Sequence, residues 1–269
     1  MDEPENEPSS PEEWAALLCR NWTERSYAER RDHYVASLPP GSGPAAWDRQ
    51  ARIDVQTLFW GLDPGRTADW HVLELGCGVG RLAAPILERA ASYTGFDIAT
   101  GMVEEARRRL ESDPRARFFL GDGLRVPEEA TDRRYELALS HAVLIHCPLD
   151  VIASMLASAW ELLTGGGELR VQLLADPEDP GGITAVEAAV TDHEEAVVID
   201  RDEEQISDPL VVDRYYMGHA FRHAEVEPFL ERTLPGAELQ VIRPTLTHVY
   251  AIARRPLDPV AGNSAAQGS

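Results

Sequence analysis

The sequence predicts an α/β protein: a doubly wound sheet of seven strands, mostly parallel with an antiparallel edge hairpin, with N-terminal helices and an inserted lid. Three observations predict it. Short apolar runs alternate with helical patterns from His71 to Leu174, the rhythm of parallel strands joined by crossover helices. One such run, Val72-Leu73-Glu74-Leu75, passes directly into Gly76-Cys77-Gly78-Val79-Gly80, where residues without a Cβ let the backbone turn sharply into a helix. Two short strands, Glu238–Ile242 and 248–253, close the chain with spacing suited to a hairpin.

The elements follow in order. Residues 1–12 are acidic and polar and read as a disordered tail. Residues 13–65 form a helical cap: Trp14, Leu17, Leu18 and Trp22 share one amphipathic pattern and Trp47, Ala51, Val55 and Leu58 another. The breaker Pro39-Pro40-Gly41 separates them, and the Asp63-Pro64-Gly65 turn closes the second. The core spans 66–174, with strands at 71–75, 92–96, 117–120, 135–140 and 167–174. Helices are expected at 81–90, 101–110 and 151–163, the last capped by Asp150. Residues 175–221 read as an acidic lid, since 175–208 hold twelve Asp or Glu and one basic residue, Arg201. A helix and the two edge strands occupy 222–256, and 257–269 read as a second disordered tail.

Composition narrows the function. The chain has 269 residues, 43% hydrophobic and 26% charged, enough to bury a core. Its net charge of −21 would repel a phosphate backbone, which argues against nucleic-acid partners. No apolar run reaches the roughly 18 residues of a membrane span, and the acidic start is unlike a signal peptide. Cys19, Cys77 and Cys147 are widely spaced and form no zinc pattern. A cytoplasmic protein with no metal, no membrane and a small-molecule partner is the expectation; oligomeric state is left open.

Four motifs carry chemistry. The run Glu74-Leu75-Gly76-Cys77-Gly78-Val79-Gly80-Arg81 is a glycine bend between strand and helix. A dinucleotide fingerprint wants glycine where Arg81 stands, which counts against a dehydrogenase. Asp97 ends the next strand, about 20 residues on, where a carboxylate can take two ribose hydroxyls or serve a helix start. Asp122, in Leu120-Gly121-Asp122-Gly123, follows the third strand and can accept a hydrogen bond from a base or simply make a turn. The fourth strand exits through Ser140-His141-Ala142-Val143-Leu144-Ile145-His146-Cys147-Pro148.

Together these motifs, with the later Gly165-Gly166-Gly167 turn, resemble the class I S-adenosylmethionine-dependent methyltransferases over about residues 70–174, and more weakly to 254. The resemblance implies a Rossmann-like fold, S-adenosylmethionine as cofactor and methyl transfer to an oxygen or nitrogen of a small-molecule acceptor, natural products included. It implies that Gly76, Gly78 and Gly80 cradle the methionine end, Asp97 the ribose and Asp122 the adenine amino group. Glu74, Cys77, Ile98, Met102, Gly123 and Ser140 would complete the cofactor contacts. The Asn-Pro-Pro-Tyr type of tetrapeptide seen in nucleic-acid and protein amine methylases is replaced here by Ser140-His141-Ala142-Val143.

Methyl transfer from a sulfonium relies on positioning, and a hydroxyl or amine acceptor must lose its proton to a base near neutral pH. His141 and His146 are the candidates, with packing or loop shaping as the competing role; His219 and His223 are further options. Tyr27, Tyr34, Trp47, Tyr215, Tyr216 and Phe221 are candidate pocket walls or core residues. The alternative overall is a protein of the same fold that binds the cofactor without methylating, as regulatory partner or cyclase-like enzyme.

Overall fold

The computed structural model describes residues 8–28, 42–179, 181–182, 218–245 and 247–257. Most of the expected lid, with Tyr215 and Tyr216, lies outside them, as do Tyr34 and most of both tails.

Two helices open the described chain. Helix α1 (Pro11–Ser26) starts before the expected boundary, because Ser10 caps it by accepting from the Glu13 N–H and Pro11 occupies its first turn. Helix α2 (Pro44–Leu58) follows. A single turn, α3 (Pro64–Thr67), is capped by Asp63.

The core then alternates as β1 (His71–Leu75), α4 (Ala83–Leu87), β2 (Ser92–Asp97), α5 (Thr100–Arg109), β3 (Ala116–Leu120), β4 (Tyr135–Ser140), α6 (Leu149–Trp160) and β5 (Leu163–Ala175). Next come β6 (Ala220–Phe221), α7 (His223–Thr233), β7 (Glu238–Ile242) and β8 (His248–Arg254). The strand order is β3-β2-β1-β4-β5-β8-β7. The first five strands are parallel, while β8 and β7 run antiparallel at one edge. Going from β1 the chain winds one way to β2 and β3, then returns to build β4 and β5 on the other side. The crevice at that reversal is where doubly wound sheets bind ligands.

The seven expected strands are all present, and a two-residue strand, β6, joins them by pairing with Leu174 and Ala175 of β5. Three element bounds differ from expectation. Helix α4 is shorter than expected because residues 78–82 run as turns before it. Helix α6 begins at Leu149 behind Pro148, and Asp150 sits in its first turn instead of capping it. Strand β5 also begins earlier than expected. Tyr135 faces Leu163 while Leu137 faces Glu168, so the glycine turn bulges within the strand.

The sheet's two faces are built differently. Leu73, Leu75, Ala138, Leu169, Val171 and Leu173 pack on one face beneath α6 and α7. Val72, Leu137 and Leu139 face the other way, against Val55 and Leu58 of α2, Ile86 of α4 and Val103 of α5. On that second face β5 presents Glu168, Arg170 and Gln172, all buried. Arg170 donates to the Leu58 and Trp60 carbonyls at 2.8 and 2.6 Å and pairs with Glu168 at 2.6 Å. The unsatisfied carbonyls at the end of α2 are thus held by a buried cation. This contact docks the N-terminal helix on the sheet.

Arg170→Ala is expected to lower unfolding free energy by about 3 kcal/mol, the cost of removing one member of a buried pair. Urea denaturation checks it; a loss under about 0.5 kcal/mol, typical of a surface change, would contradict this docking role.

Candidate active site

A cleft of about 880 Å³, counted out to its open mouth, lies at the carboxyl ends of the central strands. Its floor is the glycine bend. Gly76 has φ +74° and Gly78 φ +51°, in the left-handed region. The N–H groups of Gly76 and Cys77 both donate to the Phe96 carbonyl at 2.9 Å, stapling the bend to the end of β2. A Cβ on Gly76 would come within 2.4 Å of Val143, so the bend also receives the loop after β4 in close contact.

Asp97 stands at the end of β2 in the cleft wall. Its Oδ2 accepts from Gly78 N–H and its Oδ1 from Ala99 N–H, each at 2.9 Å. A carboxylate has about four acceptor sites, so capacity remains for a ligand's hydroxyls. Burial pushes its pKa up, against the lowering effect of these backbone N–H groups.

Glu74, on β1, is buried and accepts from the Tyr93 hydroxyl at 2.5 Å. Burial pushes its pKa to about 8, outweighing the lowering effects of Tyr93 and Arg81. At neutral pH this carboxyl is largely protonated.

The loop after β4 brings the fourth strand's chemistry to the cleft. Ala142 adopts φ +57°, rare for a residue with a Cβ. Its N–H donates to Gln172 Oε1 at 2.8 Å, and Gln172 Nε2 lies 3.3 Å from the Tyr250 hydroxyl. This bracing turns His141 into the cleft, its ring stacked on Tyr250 at 6.5 Å and 20°. His141 Nε2 is 3.5 Å from Asp54 Oδ2, while Nδ1 is buried without a hydrogen-bond partner. Asp54, from α2, also receives Arg81 at 2.5 Å and Gln50 at 2.9 Å. Burial alone would raise the Asp54 pKa. The hydrogen bond and charge of His141, then those of Arg81, overcome it and hold it at about 2.

The predicted site residues divide into two groups. Glu74, Gly76, Cys77, Gly78, Asp97, Ile98, Met102, Gly123 and His141 all line the cleft. Four others stand elsewhere. Gly80 lies under the bend against Phe118 and Ala106. Ser140 is fully buried and donates to the Leu75 carbonyl, tying β4 to β1. Asp122 is exposed, its Oδ1 accepting from Leu124 and Arg125 N–H at 2.8 Å, as a turn residue does. His146 is buried against the Trp22 ring at 5.2 Å. Among the further candidates, His219 packs edge-on to Phe221, itself a core residue, and Tyr27 is largely exposed. Trp47 lies beneath Arg109.

Sequence reasoning missed Asp54, Gln50, Arg81, Gln172 and Tyr250 as site residues. The first two sit on the polar side of a helix that reads as an ordinary cap, and only Arg81 adjoins a motif. Among the described residues no helix is long and apolar enough to span a membrane, and no three His, Cys, Asp or Glu are grouped to hold a metal.

Glu74 supplies a pH test. It holds its proton to about pH 8 when folded but releases it near 4.5 when free. Between those values the folded chain binds more protons than the unfolded one, so this group's contribution to stability falls as pH rises. The stability of Glu74→Gln relative to wild type should therefore grow from pH 5 to pH 8, by at most roughly 1.4 kcal/mol per pH unit. Denaturant melts across that range check it; a constant difference would contradict the buried, neutral carboxyl.

Comparison with known proteins agrees with this architecture. Residues 72–167 match the family model described as a methyltransferase domain. No curated protein sequence matches the chain. Several solved structures share the fold. Magnesium protoporphyrin IX methyltransferase from Synechocystis PCC 6803, solved with bound S-adenosylmethionine, is 16% identical with a TM-score of 0.55, covering 93% of this chain and 99% of its own. The 1,6-didemethyltoxoflavin N1-methyltransferase of Burkholderia thailandensis is 19% identical with a TM-score of 0.57, covering 95% and 93%. The N-methyltransferase NodS of Bradyrhizobium japonicum is 12% identical with a TM-score of 0.54, covering 88% and 97%. Residues 72–167 thus match a methyltransferase-domain model, and the chain shares its Rossmann-like fold with S-adenosylmethionine-dependent methyltransferases of known structure.

Proposed function

We propose that this protein is an S-adenosylmethionine-dependent methyltransferase that methylates an oxygen or nitrogen of a small-molecule acceptor. The observation that carries the reading is the meeting, in one cleft, of a side-chain-free bend, the Asp97 carboxylate and the His141 ring. The match to the methyltransferase domain model supports it, as do neighbours named for small-molecule methyl transfer.

The cleft's chemistry fits this cofactor better than a dinucleotide. Arg81, the arginine lining it, is already paired with Asp54. A pyrophosphate would meet the Asp97 carboxylate, whereas a sulfonium with an ammonium group would be favoured there. Gly76 and Gly78 give close backbone approach to the methionine end, Asp97 takes the ribose hydroxyls, and Ile98, Met102 and Gly123 line the adenosyl side. The cofactor, once bound, supplies an activated methyl group for in-line displacement.

The chain's own residues then position and deprotonate the acceptor. Leu18, Trp22, Val143, Val151 and Met155 give the cleft apolar walls that exclude water. His141 Nδ1 takes the acceptor's proton as the new bond forms. The net charge of −21 is consistent with an acceptor that is not a nucleic acid.

Asp97→Ala should weaken S-adenosylmethionine binding at least roughly tenfold, the loss of hydrogen bonds to a charged group; calorimetry giving unchanged affinity would remove the ribose assignment. His141→Asn should slow methyl release to pooled small metabolites by roughly a hundredfold or more while sparing cofactor affinity. Undiminished turnover would reject His141 as the base.

A further inference from the structure

We propose that Asp54 is the positioning residue for His141, holding the ring with Nε2–H toward its carboxylate and the Nδ1 lone pair toward the methyl acceptor. The proposal rests on the reading of His141 as proton acceptor. It assigns a role in the chemistry to a residue of the N-terminal helix, outside the segment that matches the methyltransferase domain model.

The argument begins with the donor inventory. An ionised carboxylate only accepts hydrogen bonds, so a ring nitrogen facing it must carry the hydrogen. Neutral imidazole has one N–H. Facing Asp54 Oδ2 at 3.5 Å therefore selects the form in which Nε2 is protonated and Nδ1 keeps its lone pair. Nδ1 is the ring nitrogen left buried without a protein partner. A buried polar atom lacking a partner calls for an explanation, and a base awaiting its substrate's proton provides one.

The carboxylate is well fixed for this task. Gln50 holds Oδ1 at 2.9 Å and Arg81 holds Oδ2 at 2.5 Å. Against burial, the facing His141 and then Arg81 hold the Asp54 carboxyl at about 2, so the orientation it imposes persists through the physiological range. The 3.5 Å separation from His141 is at the outer limit of hydrogen-bond reach, and such contacts tighten when a site is filled.

Two other constraints act on the same ring. Tyr250 from β8 stacks on it. The strained Ala142 peptide is held by Gln172 from β5, setting the direction in which the preceding residue leaves the backbone. Helix α2, strand β5 and strand β8 thus converge on one imidazole. Docking of α2 on the sheet by Arg170 carries Asp54 into place. The competing account is that the Asp54–Arg81 pair only fastens α2 to the glycine bend. In that case the protonation form of His141 is indifferent to Asp54.

The two accounts separate in two-bond ¹H–¹⁵N spectra of the full chain labelled at histidine, with His141 identified by the signal missing from His141→Asn. At a pH where the ring is neutral, wild type should show the Nε2–H form alone. In Asp54→Asn, which replaces a charged acceptor with a neutral amide, the ratio of Nε2–H to Nδ1–H forms should fall roughly tenfold. An unchanged ratio overturns the positioning role. Should Asp54→Asn not fold, the wild-type spectrum decides: an Nδ1–H ring overturns the proposal without any variant. These spectra require no methyl transfer, so the result is separable from the turnover of His141→Asn, whose survival would instead overturn the base assignment.

Discussion

The site depends on one junction, where the bend after β1 is fastened to the end of β2. Gly76 and Cys77 share the Phe96 carbonyl, and Gly78 donates to the next side chain, Asp97. Three successive backbone N–H groups are satisfied by two consecutive residues of a neighbouring strand. The bend is therefore fastened to the sheet, and the carboxylate that would meet a ligand is oriented by backbone donors. The loop after β4 is shaped by the same junction, since Val143 fills the space that a side chain at Gly76 would occupy. Preorganisation of this kind reduces the ordering cost of binding.

Much of this was legible in the sequence because it follows from local rules. The alternation of strand and helix gave the sheet, and the glycine spacing with Asp97 gave the cleft's floor and wall. Nine of the thirteen residues singled out line the cleft. The four that do not are engaged elsewhere: Gly80, Ser140 and His146 face the protein interior, and Asp122 is exposed in its own turn. Ser140 is at a strand end, yet its hydroxyl turns to the Leu75 carbonyl. Asp122 occupies the expected position, yet its Oδ1 is engaged by its own turn. Adjacency in sequence fixes position along a strand, and the direction of a side chain at a strand end depends on the loop that follows.

What the sequence hid is long-range and polar. Asp54 reaches His141 only because α2 folds over the second face of the sheet, and no local pattern links a helix in the N-terminal cap to a loop after the fourth strand. Gln172 and Tyr250 belong to strands whose apolar partners dominate the pattern, so their buried polar ends leave no trace in periodicity. Bulges and added strands escape for a similar reason. The glycine turn within β5 and the two residues of β6 are set by pairing partners distant in the chain.

The unequal faces of the sheet have a consequence for how this protein can diverge. Beneath α6 and α7 the contacts are apolar, and a core of that kind accepts exchange among hydrophobic residues of similar volume. On the opposite face each buried polar group has a specific mate: Glu168 with Arg170 and Arg254, Gln172 with Tyr250 and the Ala142 peptide. A change in one member strands the other in a dry environment, so drift there must proceed in compensated pairs. Related chains should vary freely on one side of the sheet and covary on the side that supports the cleft.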